Sequence, residues 1–220
     1  MAITTLKGKA VRSKDIELRD STFPDAGERL WDRRKHHGFA TVPKTMPMLM
    51  RALDELSKGK PLGQTYFALF CATWDNGFVR LARAPDLFYA SGFTGARGIR
   101  GFHERLTLLE GLGFVELQPS AGQKYGLAFL PNPNIVLLNL WERKKAQGSG
   151  PYDPPALAGL QDQTMSAFLE RAIDIGANDV TRAQAEINKA KREAEKAEGE
   201  TPTPAPPKPK RRLVRAKPKE

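Results

Sequence analysis

The spacing of apolar residues predicts most of the elements between residues 45 and 146. In 46–56 they recur at i, i+3, i+4, i+7 and i+10, which places them on one side of a helix. Thr45 is the predicted N-cap of this helix. Similar spacing predicts helices at 62–74 and 96–112. Segment length with a stop at Gly92 predicts a helix at 85–92, and Asn132-Pro133-Asn134 opens one at 134–145.

Three runs alternate or are rich in β-formers. They predict a short strand at 78–82 and two strands at 114–119 and 124–130. Residues 120–123 (SAGQ) would form the tip of a hairpin between the last two. The predicted fold class is therefore mainly α with a small β-hairpin.

Four glycines fall where the helix 96–112 is about to start, at positions 92, 95, 98 and 101. Gly92 is expected to end the preceding helix, and Gly95 to take a positive φ in the turn. Gly98 and Gly101 lie in the first turns of the helix, where glycine costs roughly 0.5–1 kcal/mol. The pattern favours a steric reason, the close approach of another backbone.

The ends of the chain differ from this middle part. Residues 1–40 are predicted to be a basic, partly disordered arm, and 41–146 the main domain. Beyond a linker at 147–155, helices are predicted at 163–176 and 180–198, the second mostly solvated or with a weak seam through Val180, Ile187, Ala190 and Ala194. The Pro/Lys/Arg-rich tail 199–220 is expected to be disordered.

Net charge narrows the class of partner. The chain has 35 Lys and Arg against 25 Asp and Glu, a net charge of +10, which favours nucleic acid over an anionic membrane surface. A single cysteine, Cys71, excludes a disulfide framework. No apolar run is long enough for a signal peptide or a membrane span, so we expect a cytoplasmic protein with no membrane partner.

The element order over residues 62–130 is helix, strand, short helix, tight turn, long helix and hairpin. This order resembles the winged helix-turn-helix superfamily, which includes bacterial transcription regulators and plasmid initiator and partition proteins. The likeness covers about a third of the chain and rests on element order. It implies a winged-helix core followed by C-terminal helices and a basic tail.

The resemblance implies that the second helix of the pair enters the DNA major groove. With its apolar side inward (Ile99, Phe102, Leu106, Leu109, Leu112), four residues are expected to face outward as DNA contacts: Arg97, Arg100, Gly101 and Glu104. The arginines suit a guanine edge or a phosphate, and Glu104 a cytosine amine or Arg100 itself. Gly101 would let the helix sit deeper in the groove. Lys124, beside the hairpin tip, and the basic stretch with Arg33, Arg34 and Lys35 complete the predicted contacts.

The expected function is sequence-specific binding of double-stranded DNA by a bacterial or plasmid-encoded regulator or a replication or partition accessory factor. Such a protein would associate with the nucleoid or a plasmid. The expected protein partners are a second copy, through the helices at 163–198, and a ParA-type ATPase or the replication machinery.

Two alternatives remain open. The same fold serves as a protein-interaction adaptor in other proteins. The three G-x-x-G repeats of residues 92–101 also suit a KH-like binder of single-stranded nucleic acid. An enzyme is not expected. Three histidines and one cysteine lack zinc-ligand spacing, and neither a P-loop nor a G-x-S-x-G motif is present, so no metal or cofactor is predicted.

Overall fold

The structure is a computed structural model that describes residues 13–81, 84–120, 122–146 and 157–199. Within these ranges the protein is mainly helical, with a three-stranded antiparallel sheet. The predicted linker and tail fall largely outside them, at 147–156 and 200–220.

The helices are α1 (13–22), α2 (Ala26–Arg29), α3 (Met46–Leu56), α4 (Gly63–Ala72), α5 (Ala84–Ala90), α6 (Gly95–Gly111), α7 (Pro133–Ala146), α8 (Asp162–Asp174) and α9 (Asn178–Gly199). A 3-10 turn at Leu157–Gly159 precedes α8. The strands are β1 (Phe78–Arg80), β2 (Glu116–Ser120) and β3 (Gln123–Phe129). Every helix and strand predicted between residues 45 and 146 is present, with ends displaced by a few residues.

The sheet has the strand order β1-β3-β2, so the second hairpin strand lies in the middle. β1 is antiparallel to β3, with Val79 opposite Ala128, and both side chains are buried on the inner face. The next residues along each strand, Phe78 and Phe129, are also opposite each other and face outward. Period-2 alternation thus gives the sheet one buried and one exposed face.

One hydrophobic core joins the middle of the chain to its C-terminal helices. Leu53 of α3, Leu106 of α6 and Phe168 of α8 are each fully buried in it. The predicted boundary at residue 146 therefore does not separate two cores, because α8 packs directly against α3.

Glu55 of α3 anchors the start of α8. Its carboxylate accepts the Gln161 backbone N–H at 3.0 Å and the buried Thr164 hydroxyl at 2.6 Å, with Arg51 Nε at 3.2 Å. Partial burial disfavours the charged form, but these hydrogen bonds outweigh it and lower the pKa of Glu55. The carboxylate thus supplies the polar contact that α8 needs at its N-terminus.

Thr45 stands at the predicted N-cap position of α3, but its side chain does not cap the helix. The buried hydroxyl instead lies 2.7 Å from Asn134 Oδ1 at the start of α7, and Asn134 Nδ2 donates to Asp179 of α9 at 2.9 Å. The capping prediction failed because a long-range partner, invisible to local sequence rules, takes the hydroxyl.

The N-terminal arm was predicted to be extended or loosely ordered, yet residues 13–22 are helical and α2 follows. Helix periodicity is weak there because α1 buries almost nothing: Ile16 and Leu18 are both exposed. Local propensity and contacts such as Ser13 to Glu17, at 3.3 Å, support this helix in place of core packing.

α9 uses part of its predicted seam within the chain. Val180 is buried in the core, Ala183 packs against it and Ile187 is half-buried, while Ala190 is exposed. Lys191 also forms an ion pair with Glu142 of α7. The apolar start of the helix is thus already covered. Among the described residues, no helix is both long and apolar enough to span a bilayer.

Candidate nucleic-acid interface

A tight turn connects α5 to α6, and two glycines shape it. Gly92 has φ +83° after the end of α5, and Gly95, the first residue of α6, has φ +66°. Both values lie in the left-handed region that glycine adopts without a steric penalty. Gly92 follows the end of α5 as predicted, and the positive φ predicted for Gly95 is confirmed, although Gly95 begins α6 instead of lying in the turn.

α6 buries Phe102, Leu106 and Leu109 as predicted, but the assignment of Ile99 to the same buried side was wrong. Its side chain is 51% exposed. At this level of the helix Gly98, and not Ile99, faces the core, against the rings of Phe88 and Phe93.

Gly98 and Gly101 face these rings. A Cβ on Gly98 would lie 2.7 Å from Phe88 Cζ, and a Cβ on Gly101 would lie 2.9 Å from Phe93 Cε1. The prediction that Gly101 faces outward to admit DNA is therefore corrected, because the close approach is to Phe93 of the same chain. Gly98 and Gly101 both lie within α6, so of the three G-x-x-G repeats it is the one formed by Gly92 and Gly95 that spans the turn between two helices.

The rings form a cluster beneath the N-terminal half of α6. Phe88, Phe93 and Phe102 have centroids 6.0–6.3 Å apart, in stacked and edge-to-face pairs. The guanidinium of Arg105 lies over the Phe93 ring at 5.6 Å, and its Nε donates to the Pro61 carbonyl at 3.2 Å. The ring contacts hold α6 against Phe88 of α5, and Arg105 ties the same helix to the segment before α4.

Arg97 and Arg100 are both exposed on the outer side of α6, as predicted. Within the described part of the chain, neither guanidinium makes a hydrogen bond or a salt bridge. Each keeps its full set of N–H donors for an external acceptor.

Glu104 is exposed as predicted, but Lys60 and Arg105 engage its carboxylate. The hydrogen bond from Lys60 is the main reason why the pKa of Glu104 is lowered, and the charges of Lys60, Arg105 and Arg100 add to it. Glu104 therefore orders the cations beside α6. Lys60 was missed from sequence because it lies in the α3–α4 loop, 44 residues away.

The hairpin is tied to the same helix. The Tyr125 hydroxyl lies 3.0 Å from the Thr107 hydroxyl, and the rings of Tyr125 and His103 are 4.9 Å apart. The bond from Thr107 and the nearby Lys124 lower the pKa of Tyr125. Lys124 is exposed beside the hairpin tip, its Nζ 5.0 Å from the Tyr125 centroid. We call Arg97, Arg100 and Lys124 the basic face.

The structure gives Arg33, Arg34 and Lys35 only local contacts. All three are exposed, and Arg34 pairs with Asp32 at 2.8 Å. The hydrogen bonds from Arg34 lower the pKa of Asp32 to about 2. Trp31 lies 6.2 Å from both His36 and Phe39. No described contact brings this segment to the basic face.

In the described ranges, no group of three or more His, Cys, Asp or Glu side chains is placed to hold a metal ion. Comparison with protein-family models, curated proteins and solved structures found no match. The function is therefore inferred from the chain's own residues.

Proposed function

We propose that the protein is a winged helix-turn-helix protein that binds double-stranded DNA in a sequence-specific manner. α5, the turn and α6 form the helix-turn-helix, and the β2–β3 hairpin forms the wing. The strand order β1-β3-β2, with the hairpin directly after α6, supports this interpretation. α6 would enter the major groove, which is wide enough for one helix.

The observation that carries the proposal is that Arg97 and Arg100 are exposed and available to bind. Their guanidinium groups are exposed on the outer side of the second helix of the pair and make no hydrogen bond or salt bridge with the residues that the structure describes. A guanidinium that contacts guanine O6 and N7 together discriminates by about 1–3 kcal/mol against the wrong base. The two arginines would supply readout, and Lys124 would bind the phosphate backbone.

Lys60 and Arg105 extend the proposed interface. Both lie at Glu104, beside the outer side of α6, and both are held by that carboxylate. Cations in fixed positions suit phosphate contacts, which set the register of a protein on its duplex. Since binding energy comes mainly from phosphate neutralisation, the net charge of +10 supports the same proposal. A regulator or a replication or partition accessory factor, associated with nucleoid or plasmid DNA, is the role that fits.

The test is selection of bound duplexes from a random library, followed by fluorescence anisotropy at several salt concentrations. We expect the full chain to enrich a consensus, and Arg97→Ala and Arg100→Ala each to relax it at one base position. Arg182→Ala, which removes an exposed arginine on α9, is the matched control and should leave the consensus unchanged.

Two results would contradict the proposal. One is the absence of any enriched sequence with wild-type protein at low salt. The other is an equal loss of affinity in Arg182→Ala and in Arg97→Ala on every duplex, which would indicate non-specific attraction to a basic protein.

A further inference from the structure

A second surface of the molecule exposes aromatic side chains in place of charges. Trp74 is 83% exposed, Phe129 45%, Phe67 38% and Phe78 36%. We call these four residues the aromatic patch. Phe78 and Phe129 are opposite each other on the outer face of the sheet, and Trp74 and Phe129 line one cleft. Phe67 is on α4, whose last residue is followed within two residues by Trp74, and a concentration of exposed apolar side chains marks an interaction site in soluble proteins.

The sequence of α4 indicates that the patch is normally covered. After Gln64 and Thr65, α4 is apolar on every side from residue 66 to residue 72, which is typical of a helix buried on all sides. Tyr66 and Leu69 lie in the core, but Phe67 and Cys71 on the other side are exposed. Trp74 continues this exposed side just beyond the end of the helix.

The patch contains a projection and a recess side by side. Trp74 projects next to a cleft of about 480 Å³, whose walls include Val42, Pro43 and Pro131 as well as Phe129. A volume in this range accommodates a drug-sized ring system, so an indole fits. A surface that carries both shapes is complementary to itself, as a two-fold symmetric interface requires.

Charges surround the patch but do not enter it. Asp75 follows Trp74, Arg80 lies one exposed position along β1 from Phe78, and Glu116 is opposite Phe129 in the sheet. Within the described residues, none of these three takes part in an ion pair. A two-fold axis would bring acidic and basic groups of the two copies together at the rim.

We propose that the aromatic patch is the contact between two copies of this chain, with Trp74 of each copy in the cleft of the other. At these exposures the four rings offer on the order of 450 Å² of apolar surface per copy. A stable interface takes about 800 Å² from each partner, a little over half of it apolar. The patch supplies that apolar part, and the charged rim supplies the remainder.

A nucleic-acid partner does not fit this surface, because it has two carboxylates at its rim and no cation at its centre. The dimer is thus separate from the basic face and does not depend on DNA binding. It also differs from the predicted assembly through the helices at 163–198, where α8 and the start of α9 are already packed within the chain.

The test is sedimentation equilibrium of the full chain without DNA, from about 1 to 100 μM, the range of moderate protein–protein affinity. We expect wild type to reach twice the mass of one chain. Trp74→Ser should raise the dimer dissociation constant at least about thirtyfold, the effect of losing a central tryptophan. Trp31→Ser, which removes a tryptophan that is 55% exposed elsewhere, is the matched control and should dimerise like wild type.

Helical circular dichroism and the melting curve of Trp74→Ser should match those of a monomer with an intact fold. If its fold is lost, Phe67→Ser on α4 takes its place, and the same shift is expected. A wild-type protein that stays monomeric at 100 μM would overturn the proposal, as would a dimer equally stable in Trp74→Ser and wild type. A monomer whose Trp74 fluorescence responds to a synthetic peptide of residues 200–220 would assign the patch to the proline-rich tail instead, and would also overturn it.

Discussion

The basic face and the aromatic patch lie on the same small domain, but exposing them to water has a different free-energy cost. Arg97, Arg100 and Lys124 are well solvated when exposed, so the basic face costs little while unoccupied. Exposed aromatic surface forgoes about 25 cal/mol for each Å² left in water. A charged surface is therefore suited to transient binding, whereas an exposed aromatic surface favours a permanent partner.

The two surfaces also differ in what holds them in place. The aromatic patch is fixed by backbone, because strand register sets Phe78 and Phe129. The surroundings of the basic face are arranged by side-chain contacts, such as Glu104 with Lys60 and Tyr125 with Thr107, whereas Arg97 and Arg100 make no hydrogen bond or salt bridge within the described residues. Point substitutions should thus disturb the basic face more easily than they disturb the geometry of the patch.

The largest effect is expected from the core that supports both surfaces. Leu106→Ala should lower the free energy of unfolding by about 2–5 kcal/mol, because its side chain is fully buried. Both surfaces should be lost in one unfolding transition, followed by urea denaturation. Ile99→Ala on the exposed side of α6 is the control and should change stability far less. Similar losses in the two variants would show that α6 is rotated from the orientation described.

A smaller loss is expected at the glycines behind the basic face. Gly98→Ala should destabilise the protein by about 1–3 kcal/mol, because its methyl group would overlap the Phe88 ring. Gly111→Ala, in open space on the same helix, should gain up to about 1 kcal/mol from helix propensity. Thermal melting measures both. An equal gain in the two variants would restore the idea that Gly98 is kept bare for DNA.

Acid should weaken the support behind α8 and leave the residues of both surfaces unchanged. The folded pKa of Glu55 is lowered, so its contribution is present above its ordinary pKa of 4.5 and is lost as pH falls through the folded value. Glu55→Gln should cost about 1 kcal/mol at neutral pH and have a flatter stability profile below pH 4.5. Parallel profiles from pH 7 to 3 would contradict this role.

The smallest effects on folding are expected at the surfaces themselves. Arg97→Ala, and Trp74→Ser compared with monomeric wild type, should each change the free energy of unfolding by less than about 0.5 kcal/mol, because both side chains are exposed in the single chain. Arg97→Ala should alter DNA selectivity and leave the monomer–dimer equilibrium unchanged, and Trp74→Ser should do the reverse. Fluorescence anisotropy and sedimentation on the same preparations check this. A variant that changes both DNA selectivity and the monomer–dimer equilibrium would show that the two surfaces are not independent.

Apolar periodicity predicted helices such as α3 and α6, because they bury one side in a common core. The helices at 85–92 and 134–145 were predicted from segment length and from the signals at Gly92 and Asn132-Pro133-Asn134. The helix α1 was not predicted, because almost all of its residues are exposed and its sequence therefore has no apolar periodicity. Thr45 shows the complementary failure, since its position was predicted correctly but its partner, Asn134, lies 89 residues away.

The candidate site likewise has features that the sequence predicts and features that it does not. Exposure of Arg97 and Arg100 follows from the side of α6 that the core leaves free, and the sequence contains that information. The neighbours of Gly98 and Gly101 do not follow, because glycine spacing cannot show whether a close approach comes from Phe93 or from a partner. The aromatic patch was missed because it assembles residues from α4, β1 and β3 that separately resemble core positions.

The way Glu55 secures Gln161 and Thr164 has a consequence for how the chain could be divided. α8 is held against the rest of the molecule by hydrogen bonds to that carboxylate and by buried apolar side chains such as Phe168 and Met165. All of these contacts are non-covalent. A break in the chain between residues 147 and 156 would leave each piece with its half of these contacts. We therefore expect fragment complementation: residues 157–220, supplied as a separate chain, should bind residues 1–146 and restore the fold.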